Sequence, residues 1–423
     1  MKEIFKHIII FALSQEAKIA VKRLEPRIIG ITGSVGKSST KDAIALVLGT
    51  RYKVRKSVKS YNSKLGISLA ILGLKTEWLN PIRWIRNVYR GFLEIFAKTL
   101  PDVFVLEMGV DRPKDMDELL SIVRPEIAIV TAIGETPVHI EFFQNENELA
   151  REKSKILKSL PASGCAILNA DDDLVCSMKE KTNAKILTYG IINDATIRAS
   201  NYKISDEGIS FRVDYEGASV PVKLHGVYGK HNVYPALAAF LVGSLFDINL
   251  IEIAETLWHY KTPPGRIQMI EGVKQSRILD DSYNASPLAV RAALDVLFEL
   301  SAERKIVVFG DMLELGKKTI QAHEEIGKYV ARHTNYFITV GPRSKFAAES
   351  ALLSGMPREH IMSFSTSQEA AAAIKPLIQQ GDLILVKGSQ GMRMERVVEE
   401  IMSHPEDAEK LLCRQDKYWK NKE

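Results

Sequence analysis

Cysteine is scarce in this sequence. Its 423 residues hold three, Cys165, Cys176 and Cys413, an odd number set far apart. That excludes a disulfide framework and the close pairs of a zinc site, and it suits a reducing cytoplasm. Long apolar runs are also missing. Ile4 to Leu13 is the nearest approach, but Lys6 and His7 interrupt it, and it falls short of the ~20 residues a membrane span needs. No small-residue cleavage site follows it, so it does not read as a secretion signal. An excess of one charge is absent too. The 57 Lys and Arg against 52 Asp and Glu leave a net +5, too mild to call for nucleic acid. We find no internal repeat and no low-complexity tract. What remains is a chain of ordinary globular composition, long enough for two or three domains with cores of their own.

The informative stretch is Gly30 to Thr40. The apolar residues Ile28, Ile29 and Ile31 feed it, and a helical pattern, Asp42 to Leu48, leaves it. A strand, a glycine-rich turn and a helix in that order aim backbone N–H groups into one concavity at a helix N-terminus, where the dipole favours an anion. Lys37 follows Gly36 and reaches for outer phosphates; the Ser38 hydroxyl is placed to ligate Mg²⁺. The turn is shorter than the usual P-loop, which has glycine where Ile31 stands. The bland alternative is a turn that merely joins strand to helix.

Strands alternate with helical patterns from Ile28 onward, which predicts a parallel sheet covered by helices. Residues 60–66 read as a polar loop near the phosphates. Val103 to Leu106 is a buried-strand run ending in Glu107, Met108 and Gly109; a carboxylate there sits where open α/β sheets bind ligands. A β-rich passage runs from Thr196 to Leu224. Pro263 and Pro264 mark a hinge, and the strand–helix alternation then restarts. Residues 1–26 read as an amphipathic helix docked on the first domain, with a membrane-surface anchor as the alternative. Over 77–98, apolar residues recur at helical spacing with Arg83, Arg86 and Arg90 between them. A helix packed on its own protein is the simpler reading; a basic helix lying on a membrane surface is the other. Residues 404–423 read as a charged tail, frayed or helical.

Seven motifs occur in order: Gly33-Ser34-Val35-Gly36-Lys37-Ser38-Ser39, Glu107-Met108-Gly109, His139-Ile140-Glu141, Gly229-Lys230-His231-Asn232, Pro264-Gly265-Arg266, Asp280-Asp281-Ser282-Tyr283-Asn284-Ala285 and Gly310-Asp311-Met312-Leu313-Glu314-Leu315-Gly316. The set resembles the Mur ligases, ATP-dependent amide-forming enzymes of cell-wall precursor synthesis. Its last two motifs look most like the member that adds D-alanyl-D-alanine to a nucleotide-linked muramoyl peptide. The resemblance covers roughly residues 27–400. It implies an α/β fold: a P-loop central domain with a mostly parallel sheet over 27–271, then a smaller Rossmann-like domain over 272–403.

The resemblance also implies roles. Residues 33–39, with Lys37 foremost, would hold the β- and γ-phosphates of ATP. Ser38 and Glu107 would hold one Mg²⁺, and His139 a second near the acceptor carboxylate. Lys153 stands where several members carry a carbamylated lysine, a modification that needs a neutral amine. Asn232, Arg266 and Asp281 would contact the nucleotide, Tyr283 and Asn284 lie beside them, and Lys387 and Ser389 would orient the incoming dipeptide. A cytoplasmic monomer acting on small molecules is implied.

Three departures stand out. Only about 26 residues precede the first strand, where the family has a domain that holds uridine nucleotide. The 77–98 helix would replace part of that domain or bring the chain to a lipid-linked substrate. Pro235 stands where a second asparagine is usual, and the hydroxyl pair is Ser38 and Ser39. Two other readings remain open: a ligase for another carboxylate acceptor, and a non-catalytic ATP-dependent switch.

Overall fold

The computed structural model describes residues 2–58, 61–76, 81–96, 101–134 and 142–420. The chain is α/β, built on two sheets. The first holds β1 (Arg27–Thr32), β2 (Val54–Lys56), β3 (Val103–Glu107), β4 (Ile127–Val130), β5 (Cys165–Asn169), β6 (Lys185–Gly190), β7 (Ile197–Ser205), β8 (Gly208–Tyr215) and β9 (Ala218–His225), in the order β2-β3-β1-β4-β5-β6-β7-β8-β9. It is parallel from β2 to β7; β7, β8 and β9 form an antiparallel meander. The central strands β1, β3 and β4 are buried on both faces, which is why they read as continuous apolar runs.

The helices around this sheet are α1 (Lys2–Leu24), α2 (Lys37–Leu48), α3 (Lys64–Leu72), α4 (Pro81–Ile95), α5 (Asp115–Leu120), α6 (Glu146–Lys158), α7 (Asp173–Cys176), α8 (Val233–Leu245) and α9 (Leu250–Leu257). On one face α2 and α8 bury Ile44, Val47, Leu237 and Phe240 against the strands. On the other, α3 and α6 bury Ile67, Leu69, Ile156 and Leu157. The stretch expected to be a loop up to Gly66 is a helix from Lys64, because the Ser63 side chain accepts the Gly66 N–H and caps it. The docked N-terminal helix is present as α1, with Leu13 and Ala17 fully buried.

The second sheet holds β10 (Gln268–Glu271), β11 (Arg277–Asp281), β12 (Arg304–Gly310), β13 (Tyr336–Val340), β14 (Ile361–Phe364) and β15 (Asp382–Lys387), in the order β10-β11-β15-β12-β13-β14. All its pairs are parallel except β10 with β11. The residues just before position 272 are thus already an edge strand of this sheet. Helix α10 (Pro287–Glu299) follows β11. Its capping residue is Ser286, and Pro287 suits the first turn. The tail is not frayed through its middle: Leu412, Cys413 and Arg414 are buried, and a short helix, Lys417–Lys420, ends the described chain.

Helix α4 lies on α1, but the crossing leaves one carboxyl unsatisfied. A Cβ built on Gly91 of α4 would run into Oε2 at the Glu16 carboxylate tip of α1, so any larger residue there would have to push that side chain aside. That Oε2 has no hydrogen-bond partner among the described residues, and burial pushes the Glu16 pKa up to about 7. The folded chain therefore holds this proton more tightly than the unfolded one. Stability from this group is full below the unfolded carboxylate pKa and is lost as pH rises through about 7. Glu16→Gln should remove that slope and raise stability at pH 8 by on the order of 1–3 kcal/mol. Thermal melts across pH check this; an unchanged slope between pH 5 and 8 would contradict it.

Candidate active site

Strand β1 ends in a turn whose shape is set by close packing. Gly33 has φ +141°, and a Cβ there would lie 2.0 Å from Thr131 Oγ1. Gly36 has φ +89° and opens α2. Thr131, just past β4, staples the turn: its hydroxyl stands 2.6 Å from the Val35 carbonyl oxygen and 3.1 Å from that of Thr32. The Ala132 carbonyl accepts the N–H groups of Ser34 (2.7 Å) and Val35 (3.2 Å). Those two amides are thus engaged by the neighbouring strand end. The first-turn amides of α2, at Lys37, Ser38 and Ser39, have no carbonyl behind them within the helix and are the donors of this turn left to meet an anion.

Two lysines converge on one oxygen. Lys37 Nζ donates to the Gly33 carbonyl at 2.8 Å, and Lys153 Nζ, from α6, donates to the same carbonyl at 3.2 Å. Lys153 is fully enclosed. Burial first, then the positive charge of Lys37, pull its pKa down to about 7. Lys37 is also lowered, chiefly by burial, with the charge of Glu107 opposing.

Glu107 closes β3 and is 1% exposed. The Ser38 hydroxyl donates to its Oε2 at 3.2 Å, and Lys41 Nζ of α2 lies 2.9 Å from its Oε1. Because Ser38 donates to Glu107, its lone pairs stay open toward the anion site. A hydroxyl and a carboxyl group are the few oxygen ligands that Mg²⁺ takes from protein when phosphate supplies others. No group of three or more acidic, His or Cys side chains able to hold a metal alone occurs among the described residues. The donor set therefore fits an ion that arrives with a phosphate. His139, expected at a second ion, falls in 135–141, outside the described residues. The chain leading there is anchored by Asp172, which accepts the N–H groups of Ile133 and Gly134 at 2.8 and 3.0 Å.

Across from this turn a cleft of about 580 Å³ runs between the two sheets' domains. Val35, Gly36 and Ser39 line one side; Arg266, Asp281, Asn284 and Lys387 line the other, with Asn232 at the base. Asn232 spends its amide nitrogen on the Tyr228 carbonyl at 2.8 Å and on His231 at 3.0 Å. Pro235 fits because it falls in the first turn of α8. Burial holds the His231 pKa down at about 4, so the ring is neutral. Lys387 forms a buried ion pair with Asp281 and also donates to the Asn284 carbonyl at 3.0 Å. The Arg266 guanidinium stacks 4.4 Å from the Tyr283 ring centre. Ser389 is not part of the lining. It is buried, and its hydroxyl accepts the Leu313 N–H at 2.9 Å, tying two loops together.

Sequence reasoning missed three contributors. Thr131 and Lys41 carry no motif; only the strand end and the i+4 spacing from Lys37 hint at them. Arg414 lies in the tail, pairs with Glu395 at 2.9 Å and donates to the backbone carbonyls of Ser282 and Tyr283, so it fixes the loop that carries Asp281.

Two family models match this chain in order: the Mur ligase middle domain over residues 31–243 and the Mur ligase glutamate ligase domain over residues 265–390. This chain belongs to the Mur ligase family. It is therefore an ATP-dependent, amide-forming ligase by descent. A UDP-N-acetylmuramoyl-tripeptide–D-alanyl-D-alanine ligase of Bacillus subtilis is 30% identical over 396 residues, 93% of this chain and 80% of that protein. The enzyme of the same name from Escherichia coli is 29% identical over 89% of this chain and 77% of its own length. A solved structure of MurF from Acinetobacter baumannii matches with TM-score 0.78 at 25% identity, covering 92% of this chain and 80% of that one. A MurF ligase from Thermotoga maritima solved in complex with ADP shares the fold, with TM-score 0.77 over 95% of this chain and 84% of that one at 23% identity.

Thr131→Val should release the turn without emptying the core. We expect ATP affinity to fall about tenfold, with a loss of global stability on the order of 1 kcal/mol. Calorimetric titration and a thermal melt check this; unchanged affinity would remove the staple from the account.

Proposed function

We propose that this Mur ligase joins the amine of D-alanyl-D-alanine to the terminal carboxylate of a nucleotide-linked muramoyl tripeptide, as the names of its relatives state for them. The observation that carries the reading is the cleft itself. Gly36 and Ser39 of the turn line it, next in sequence to Lys37 and to Ser38, whose hydroxyl meets the buried Glu107, while Arg266, Lys387 and Asp281 line the opposite side.

The chemistry is a problem of charge. A carboxylate oxygen must attack the γ-phosphorus of ATP, and both carry negative charge. Lys37 and the first-turn amides of α2 hold the β- and γ-phosphates. Ser38 and Glu107 would hold Mg²⁺ and His139 would hold a second ion; a bound metal would neutralise charge on the phosphates. The new carboxyl–phosphate bond forms as the β–γ bridge to ADP breaks. The dipeptide amine, having lost its proton, then attacks the acyl carbon. The tetrahedral intermediate expels inorganic phosphate and leaves the amide. Lys153, held near-neutral, is suited to add CO₂ through its amine and release one proton to solvent, which would leave a carbamate anion able to support a second ion. Asn232, Arg266 and Asp281 contact the nucleotide, while Asn284 and Lys387 line the amine side, with Tyr283 behind Arg266; Ser389 acts by holding their loop. The central domain and the C-terminal domain, whose sheet begins at Gln268, work as two domains that close on ATP and exclude water from the acyl phosphate.

The direct test is to supply ATP, D-alanyl-D-alanine and the muramoyl tripeptide nucleotide, and to weigh the product. Phosphate release should require all three, and the product should gain the dipeptide less one water. Release from ATP alone would favour a switch over a ligase. Lys37→Ala should lower kcat at least about a thousandfold with the fold retained by circular dichroism; ligation at the native rate would take the turn out of the mechanism. Lys153→Ala should lose activity that short carboxylic acids partly restore, and absence of any rescue would argue against a carbamate.

A further inference from the structure

Helices α1 and α4 carry the largest apolar surface left open in the described chain. On α1, Ile4, Ile8 and Phe11 follow one another at helical spacing on the outer side, with Ile4 66% and Phe11 65% exposed. On α4, Ile85, Tyr89, Phe92 and Phe96 form a second stripe, with Tyr89 63% exposed. The inner side of α4, through Asn87, Gly91 and Ile95, is buried. The two helices run in the same sense: Glu16 meets Gly91, and further along Arg23 donates to the Ile95 carbonyl and lies 5.5 Å from the Phe96 ring. Both stripes thus sit on the solvent side of one two-helix layer.

Charge is gathered in the same place. The two helices contain eight Lys or Arg against three Glu, a net +5. That equals the formal charge of all 423 residues, so the rest of the chain is neutral in sum. Arg83, Arg86 and Arg90 flank the α4 stripe, and Lys6 and Lys22 are exposed on α1. Apolar stripes bordered by cations are the design of a helix that lies in the plane of a lipid surface. No helix among the described residues is long and apolar enough to cross a membrane, so the layer would lie on the surface. A second copy of the same face is a poor occupant, because two like-charged layers repel.

We propose that the α1–α4 layer docks on an anionic phospholipid bilayer, its aromatic and aliphatic stripes entering the headgroup boundary and its cations pairing with lipid phosphates. Docking there reaches the active site through one helix. α1 packs on α3, and Asn62, just before α3, accepts the Gly109 N–H at 2.9 Å beside the Glu107 strand end. This inference stands independently of which amine or acceptor the ligase uses.

The test is sedimentation of the full chain with phosphatidylcholine vesicles, with and without phosphatidylglycerol, at low and high salt. We expect at least about tenfold stronger partitioning onto the anionic vesicles, released by salt. Ile85→Asp with Phe92→Asp should abolish it, and Arg86→Glu with Arg90→Glu should weaken it about tenfold or more. These side chains are exposed, so both variants should keep the native melting temperature and the native ligation rate on dissolved substrates. Equal partitioning onto neutral vesicles would overturn the proposal, as would no partitioning. A concentration-dependent dimer dissolved by the Asp pair, without vesicle binding, would assign the face to self-association and equally overturn it.

Discussion

The carbonyl oxygen of Gly33 receives two ammonium groups, and much of the site follows from that sharing. One oxygen cannot neutralise both Lys37 and Lys153 in an enclosed place. Lys153, the more enclosed, gives up its charge more readily and moves to about 7. Lys37 is lowered too, but the charge of Glu107 opposes that shift, and its surface stays partly open. Everything that fixes the Gly33 carbonyl therefore acts on the chemistry. Thr131 fills the space beside Gly33, and the Ala132 carbonyl pins the next two amides.

A second constraint works across the cleft. Lys387 and Asp281 are buried together, where neither would be tolerated alone. Their pairing leaves two cations lining that wall, the Arg266 guanidinium stacked on Tyr283 and Arg291, which pairs with Glu325 at 3.2 Å. Arg414 reaches back from the tail to hold the Ser282 and Tyr283 carbonyls. The two walls are thus built separately: one by a strand end and a helix start, the other by a loop locked from behind.

Much of this was legible in the residues. The parallel sheet announced itself because strands buried on both faces must be apolar throughout, as Val103 to Leu106 are. The turn from Gly33 to Lys37 was readable because its backbone requires glycine at Gly36 and its chemistry requires a lysine next to it. Glu107 was placed by the rule that ligands meet the carboxyl ends of strands. What was not legible depended on pairing across long sequence distances. Thr131, Lys41 and Arg414 are ordinary residues until the fold sets them against Gly33, Glu107 and Tyr283. Ser389 read as a residue that orients the dipeptide, yet it is buried outside the cleft lining and its hydroxyl joins two loops. The loop reading of the stretch ending at Gly66 failed because Ser63, a strong helix cap, outweighed the polar composition after it.

Titration of the Lys153 ammonium by NMR, with labelled lysine and assignment through Lys153→Arg, addresses the shared-carbonyl account most directly. The account predicts a midpoint near 7 in the native chain and a clear upward move in Lys37→Met, where the neighbouring charge is gone. A midpoint near the ordinary lysine value of about 10.4, or one indifferent to Lys37, would contradict it.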